Sequence, residues 1–191
     1  MQQEIKIEEP DFRIHPKKVV LWVSMVSIVM IFAALSSALM VRQGEGNWNY
    51  FKMPPMFWIT SGLILLSSVT MQWSLVSLKR ESFPNLVTGL WITALLGVAF
   101  LAGQFIGWME LVNMGVFFRD NPSNSFLYIL TGLHGLHLIG GLIAVIWVLV
   151  KAILFRYRAN KMLGVELCAT YWHFMGALWI YLFLFLLYHY S

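Results

Sequence analysis

The stretch Asn124–Val150, NSFLYILTGLHGLHLIGGLIAVIWVLV, carries no acidic residue, lysine or arginine from end to end. A helix needs about 20 apolar residues to cross the hydrocarbon core of a bilayer, and this run is long enough to do so. It also carries two imidazoles, His134 and His137. Polar rings in hydrocarbon are costly unless they meet a partner, so the run reads as more than an anchor. Working outward, four further runs qualify: 19–41, 55–78, 86–110 and 167–190. Each gap between them holds charges or turn residues, such as Gly44, Gly46 and Asn47, then Pro84, then Asp120, Asn121 and Pro122. The pattern predicts an all-α integral membrane protein, a bundle of five transmembrane helices over 19–191 preceded by a polar tail over 1–18.

Composition agrees with that class. Of 191 residues, 59% are hydrophobic and 12% charged, too few charges to give a soluble domain its hydrated surface. Short alternating segments of the β-barrel kind are absent. The longest gap, about 15 residues, cannot enclose a core of its own. The single cysteine, Cys168, excludes an internal disulfide. The net charge of +4 does not point to nucleic acid, because it follows from where the basic residues stand relative to the membrane. Lys6, Arg13, Lys17, Lys18, Lys79, Arg80, Lys151, Arg156, Arg158 and Lys161 fall on one side, and only Arg42, Lys52 and Arg119 on the other. Basic loops stay in the cytoplasm, so the N-terminus is expected inside and the C-terminus outside. No cleavable signal peptide is expected, since the first apolar run is too long for a signal core. Trp22, Trp48, Trp58, Trp73, Trp108 and Tyr190 lie near span ends, as an aromatic belt would. The eleven methionines are scattered through apolar runs and read as packing.

The polar residues inside the spans are His134, His137, His173, Gln104 and, at the edges, Glu110 and Glu166. Three readings of the histidines compete: a metal or haem site, hydrogen bonds to a neighbouring helix or a lipid headgroup, and a proton path. At about 1.5 Å rise per residue, His134 and His137 lie roughly 10 to 15 Å in depth from His173. Ligands of one metal lie within about 2 Å of it, so a three-histidine site is disfavoured. Contacts to lipid or to neighbouring helices are the expected roles of His134, His137, His173, Glu166 and Gln104. An edge carboxylate such as Glu110 or Glu166 can reach water. Gly103 and Gly107 form a GxxxG pair, and Gly132 and Gly140 put two gaps on one face of the fourth span. Such residues let helices approach closely or leave grooves for lipid tails.

Five ordered blocks resemble one family. They are Trp22 with Phe32-Ala33-Ala34-Leu35, then Thr60 with Ser67-Ser68-Val69-Thr70, then Phe100-Leu101-Ala102-Gly103-Gln104. Tyr128 with Thr131 through His137 forms the fourth, and Glu166, Ala169, Tyr171-Trp172-His173-Phe174 and Trp179 the fifth. The pattern is similar to subunit III of the haem–copper respiratory oxidases, in its short five-helix bacterial form. The resemblance implies a non-catalytic subunit of a cytochrome c oxidase complex that reduces oxygen and translocates protons. Haem and copper would belong to partner subunits I and II, and no cofactor or metal is expected in this chain. Subunit I would be its main contact, in the cytoplasmic membrane of a bacterium, with a larger respiratory supercomplex as a further partner. Bound phospholipids would meet Arg80, Arg156 or Arg158 at the cytoplasmic face. Three acidic positions of the family are occupied here by Ile28, Gly107 and Gly176, so no proton-antenna role is expected. The alternatives are an accessory subunit of a related nitric oxide reductase, or a stand-alone membrane cytochrome or transporter. A transporter would show broken helices or repeats, and a cytochrome histidines at matching depth.

Overall fold

A computed structural model describes residues 15–154 and 162–190. Five helices cover most of them: α1 (Pro16–Gly44), α2 (Pro55–Lys79), α3 (Phe83–Asn113), α4 (Pro122–Ile153) and α5 (Leu163–Tyr190). All five are long and apolar enough to span a membrane. Four of them carry proline in the first turn, where the missing N–H breaks no bond. Asn121 caps α4 by accepting from the Ser123 amide at 3.0 Å. The α2–α3 connection is only a few residues long, and Glu81 enters the left-handed region (φ 56°) to make it. Gly115 (φ 79°) ends α3 in the same way, with its amide on Val112 and that of Val116 on Leu111.

Helices α2 to α5 close into a four-membered ring, α2 on α3, α3 on α4, α4 on α5 and α5 back on α2. Helix α1 stands outside this ring, against α4 and α5, and makes no contact with α2 or α3. The ring is tight where α3 meets α2. A Cβ added at Gly103 would sit 2.5 Å from Thr60 Cγ2, and one at Gly89 would collide with Ser74. A Cβ at Gly107 would lie 3.1 Å from the Phe57 ring. The expected GxxxG contact is therefore one stretch of a longer glycine seam. Gly132 and Gly140 do not share a packed face: a Cβ added at Gly132 would lie 3.6 Å from Trp108, whereas one at Gly140 would meet nothing within 4 Å.

Lys18 at the start of α1 pairs with Glu166 at the start of α5 at 3.8 Å. Gln43 at the other end of α1 donates to the His189 carbonyl at 3.3 Å, so α1 and α5 run parallel. Lys17, Lys18, Lys79, Arg80 and Lys151 gather at one end of the bundle, and Arg42, Lys52 and Arg119 at the other. Trp22, Trp73, Trp91 and Trp147 are exposed in a ring near the basic end, as interfacial indoles are. The belt expected at the opposite end is only partly there. Trp58 is exposed, but Trp48, Trp108 and Tyr190 turn inward. Trp48 donates to the His189 carbonyl at 3.0 Å, Trp108 to Thr131 Oγ1 at 3.1 Å, and the Tyr190 hydroxyl to the Ser123 carbonyl. A buried indole or phenol needs an acceptor, and these found protein ones.

Candidate functional site

The polar residues of the spans separate into two groups. The first crosses the centre of the ring. Gln104 Nε2 on α3 donates to Thr60 Oγ1 on α2 at 3.0 Å, and Thr60 in turn donates to the Phe57 carbonyl at 3.1 Å. Trp179 Nε1 on α5 donates to Ser61 Oγ at 3.0 Å. His134 on α4 completes this layer, its ring 5.8 Å from Phe100 and 5.1 Å from Trp179. It is fully buried, and neither ring nitrogen has a hydrogen-bond partner among the described residues. Among the described residues the neighbours of the His134 ring are thus aromatic faces and edges from α3 and α5 rather than hydrogen-bonding groups. Position on the wheel explains this, because His134 faces the ring axis where aromatic neighbours fill the space.

His137, one turn on, points elsewhere. Its ring lies 5.9 Å from Phe32 of α1, and its Nδ1 stands 2.7 Å from the Leu133 carbonyl. A carbonyl only accepts, so that nitrogen carries the proton. The His137 carbonyl accepts from the Tyr171 hydroxyl at 3.1 Å, tying α4 to α5. The two histidines of the fourth span therefore serve different interfaces despite their spacing.

The second group lies on the seam of α2 with α5, nearer the basic end. Trp172 Nε1 donates to Ser67 Oγ at 3.1 Å inside the bundle. On the outer side, His173 Nδ1 is 2.7 Å from Ser68 Oγ, and its Nε2 is 3.2 Å from Gln72 Oε1. An amide oxygen accepts, so Nε2 carries the hydrogen and Nδ1 accepts from the Ser68 hydroxyl. His173 is thus parted from His134 and His137, and among the described residues no three metal-ligating side chains come together. Glu166 is partly exposed beside Lys18. Glu110 is half-buried at the opposite end, and its Oε2 is enclosed without a hydrogen-bond partner among the described residues. Arg80 caps the basic end of α2 in an exposed position, whereas Arg156 and Arg158 lie outside the described residues.

Of the three positions where the resemblance implied an acidic residue, Ile28 is buried among core residues, and a Cβ added at Gly107 would meet the Phe57 ring. A Cβ added at Gly176 would lie 3.5 Å from Ser68 Oγ. The two indole–serine bonds are what sequence reasoning missed. Their signal is the similar spacing of Ser61 and Ser67, six residues apart, and of Trp172 and Trp179, seven apart on an antiparallel helix.

Fold and site together define a polytopic membrane protein whose interior polar groups chiefly hold its helices to one another. The family model of cytochrome c oxidase subunit III matches residues 19–191, which take in all five helices. The cytochrome c oxidase subunit 3 of Thermostichus vulcanus is 30% identical over 92% of this chain and 87% of its own length. The probable cytochrome c oxidase subunit 3 of Nocardia farcinica is 30% identical over 86% of this chain and 82% of its own. That of Tachyglossus aculeatus aculeatus is 32% identical over 65% of this chain and 47% of its own. The chain belongs to the cytochrome c oxidase subunit III family. It is a non-catalytic, multi-pass membrane subunit of the haem–copper oxidase complex, an oxidoreductase of the respiratory chain.

Proposed function

We propose that the chain buttresses subunit I of a bacterial haem–copper terminal oxidase in the cytoplasmic membrane, alongside subunit II, and holds phospholipid at its inner face. The observation that carries this reading is the family match running through all five helices. The N-terminal tail, residues 1–18, lies in the cytoplasm on this reading. The gathering of Lys17, Lys18, Lys79, Arg80 and Lys151 at one end supports that orientation. Haem and copper reside in the partner subunits. Gln104 and His134 act between helices, His134 by ring packing alone. His137, His173 and Glu166 stand nearer the bundle surface, where lipid is within reach.

A groove of about 500 Å³ between α1, α4 and α5 supports the lipid role. Gly140 leaves it open, and Lys151 stands at it with Nζ 4.8 Å over the Trp147 ring. Phosphates there would pair with Lys151, and others with Arg80, Arg156 and Arg158. The acidic positions lost at Ile28, Gly107 and Gly176 favour a complex whose proton uptake does not run through this subunit. A nitric oxide reductase is the other haem–copper complex that fits this loss.

Purification in gentle detergent, followed by mass spectrometry and a reduced-minus-oxidised spectrum, tests the proposal. Recovery with a large haem–copper subunit that holds the haem is expected, and its identity separates oxygen from nitric oxide reduction. Recovery of the chain alone, with its own haem or none, overturns the reading.

A further inference from the structure

Helix α1 is held unevenly along its length. In its second half Ile28, Phe32, Ser36 and Leu39 are buried against the bundle, a seam with helical spacing. From Pro16 to Ser27, about 18 Å of helix, no side chain is buried within the chain. There α1 stands off from α4 and α5 across the groove of about 500 Å³, which Leu21 and Ser24 line on one side and Gly140, Lys151, Gly164 and Cys168 on the other. The polar ties follow the same division. Among the described residues, the basic half reaches the bundle through one ion pair, Lys18 with Glu166 at 3.8 Å, and both side chains are partly exposed. Beyond the other half, Gln43 and Trp48 donate to the His189 carbonyl and Asn121 to the Asn47 carbonyl, all partly buried. Just before the seam, the Ser24 hydroxyl donates to the Val20 carbonyl at 2.9 Å and that of Ser27 to the Val23 carbonyl at 3.0 Å. Hydroxyls bonded four residues back compete for carbonyls of the helix ladder and favour bending at that turn.

We infer that the basic half of α1 is a flap that swings on the Ser24–Ser27 turn and gates the groove, with the Lys18–Glu166 pair as its latch. The inference rests on the proposed lipid role and adds how that site is entered. Outward movement of this half breaks one ion pair and uncovers no buried side chain of α1. Movement of the other half would break the seam and three hydrogen bonds. The groove touches α1 only at Leu21 and Ser24, both within the flap, so the swing widens it toward the surrounding bilayer. An acyl chain then exchanges sideways, while the phosphate of the same phospholipid is held at Lys151.

Distances between spin labels, measured in the chain with its co-purifying subunits in lipid nanodiscs, test the motion. The labels are carried by genetically encoded residues, which leaves Cys168 in place. One pair replaces Val20 on α1 and Val150 on α4, 66% and 50% exposed, and a reference pair Val41 on α1 and Tyr188 on α5, 67% and 81% exposed. Glu166→Lys sets like charges at the latch. It is expected to shift the Val20–Val150 distances to longer values and to leave the Val41–Tyr188 distances unchanged. Adding Lys18→Glu is expected to restore the first pair. A narrow Val20–Val150 distribution that Glu166→Lys leaves in place overturns the flap. Exchange of bound phospholipid against vesicles of deuterated phosphatidylglycerol, followed by mass spectrometry, reads the gate. Glu166→Lys is expected to speed that exchange by roughly twofold to fivefold, the range set by one exposed ion pair. Unchanged exchange with α1 displaced overturns the gating. A complex that retains no phospholipid overturns the lipid role and the gate together, whereas phospholipid retained beside an unmoved α1 overturns the gate alone.

Discussion

Helices α1 and α3 look alike by composition, since each is a long run apolar enough to cross a membrane, yet the fold uses them oppositely. In the most apolar window of α3, 44% of residues are buried within the protein, against 17% in α1. The difference lies in small residues. Gly89, Gly97, Gly103 and Gly107 run down α3 and admit Ser74, Trp172, Thr60 and Phe57. Helix α1 has no glycine before Gly44, and it rests on α4 and α5 by a few larger side chains such as Ile28, Phe32 and Leu39. Hydrophobicity drives both helices into the bilayer, but between helices in lipid it discriminates little. Close backbone approach decides which helix becomes central.

The strongest way to break this contrast is to remove what the ring closes upon. Trp179 is fully buried, bonds Ser61, and contacts Phe57, Phe100 and His134 by ring stacking or edges. Trp179→Ala is expected to cost about 3–5 kcal/mol and to abolish a cooperative melting transition in detergent. Next in size, Gly103→Leu forces a side chain where even a Cβ stands 2.5 Å from Thr60, for a loss of about 1–3 kcal/mol. Gly140→Ala in α4, with nothing within 4 Å, is the reference and should melt as the unaltered protein does. Equal melting temperatures for the two glycine variants would mean that the seam is not what holds α3. His134→Phe sharpens the comparison from the other direction. It keeps a ring between Phe100 and Trp179 while removing two nitrogens that bond nothing among the described residues. Stability is expected to hold or to rise by about 1 kcal/mol, and a large loss would reveal a partner for the imidazole.

How far the sequence could be read follows from the same physics. The five spans were legible because hydropathy over about 20 residues is a property of each helix alone. That Lys17, Lys18, Lys79, Arg80 and Lys151 gather at one end was legible because successive spans alternate in direction. Which residues of a span meet one another was not, because that depends on angles between helices. His134 and His137 share a spacing, yet one faces the axis and the other faces α1. Trp48 and Tyr190 sit at span ends like belt residues, but the segment after α1 folds over the end of α5 and buries them against each other at 5.3 Å. Contacts with a neighbouring helix were anticipated for Gln104, His173 and Glu166, as was the Gly103–Gly107 approach, since each depends on one residue type at one depth, whereas the partners themselves were not.

The smallest expected effect bears on how α1 is kept in place. At the basic end its tie is the Lys18–Glu166 pair, 3.8 Å apart with side chains 45% and 34% exposed. Exposed pairs of this length contribute about 0–1 kcal/mol and weaken with salt. At the far end, Gln43 and Trp48 both donate to the His189 carbonyl, and the Asn121 amide bonds the Asn47 carbonyl at 2.9 Å. These bonds are partly buried and do not depend on ionic strength. Lys18→Ala should therefore raise the rate at which a protease cuts near the start of α1 only slightly, and only at low salt. Gln43→Ala should loosen the opposite end at every salt concentration. A salt-independent effect of Lys18→Ala, equal to that of Gln43→Ala, would show that α1 is gripped along its length rather than tied at its ends.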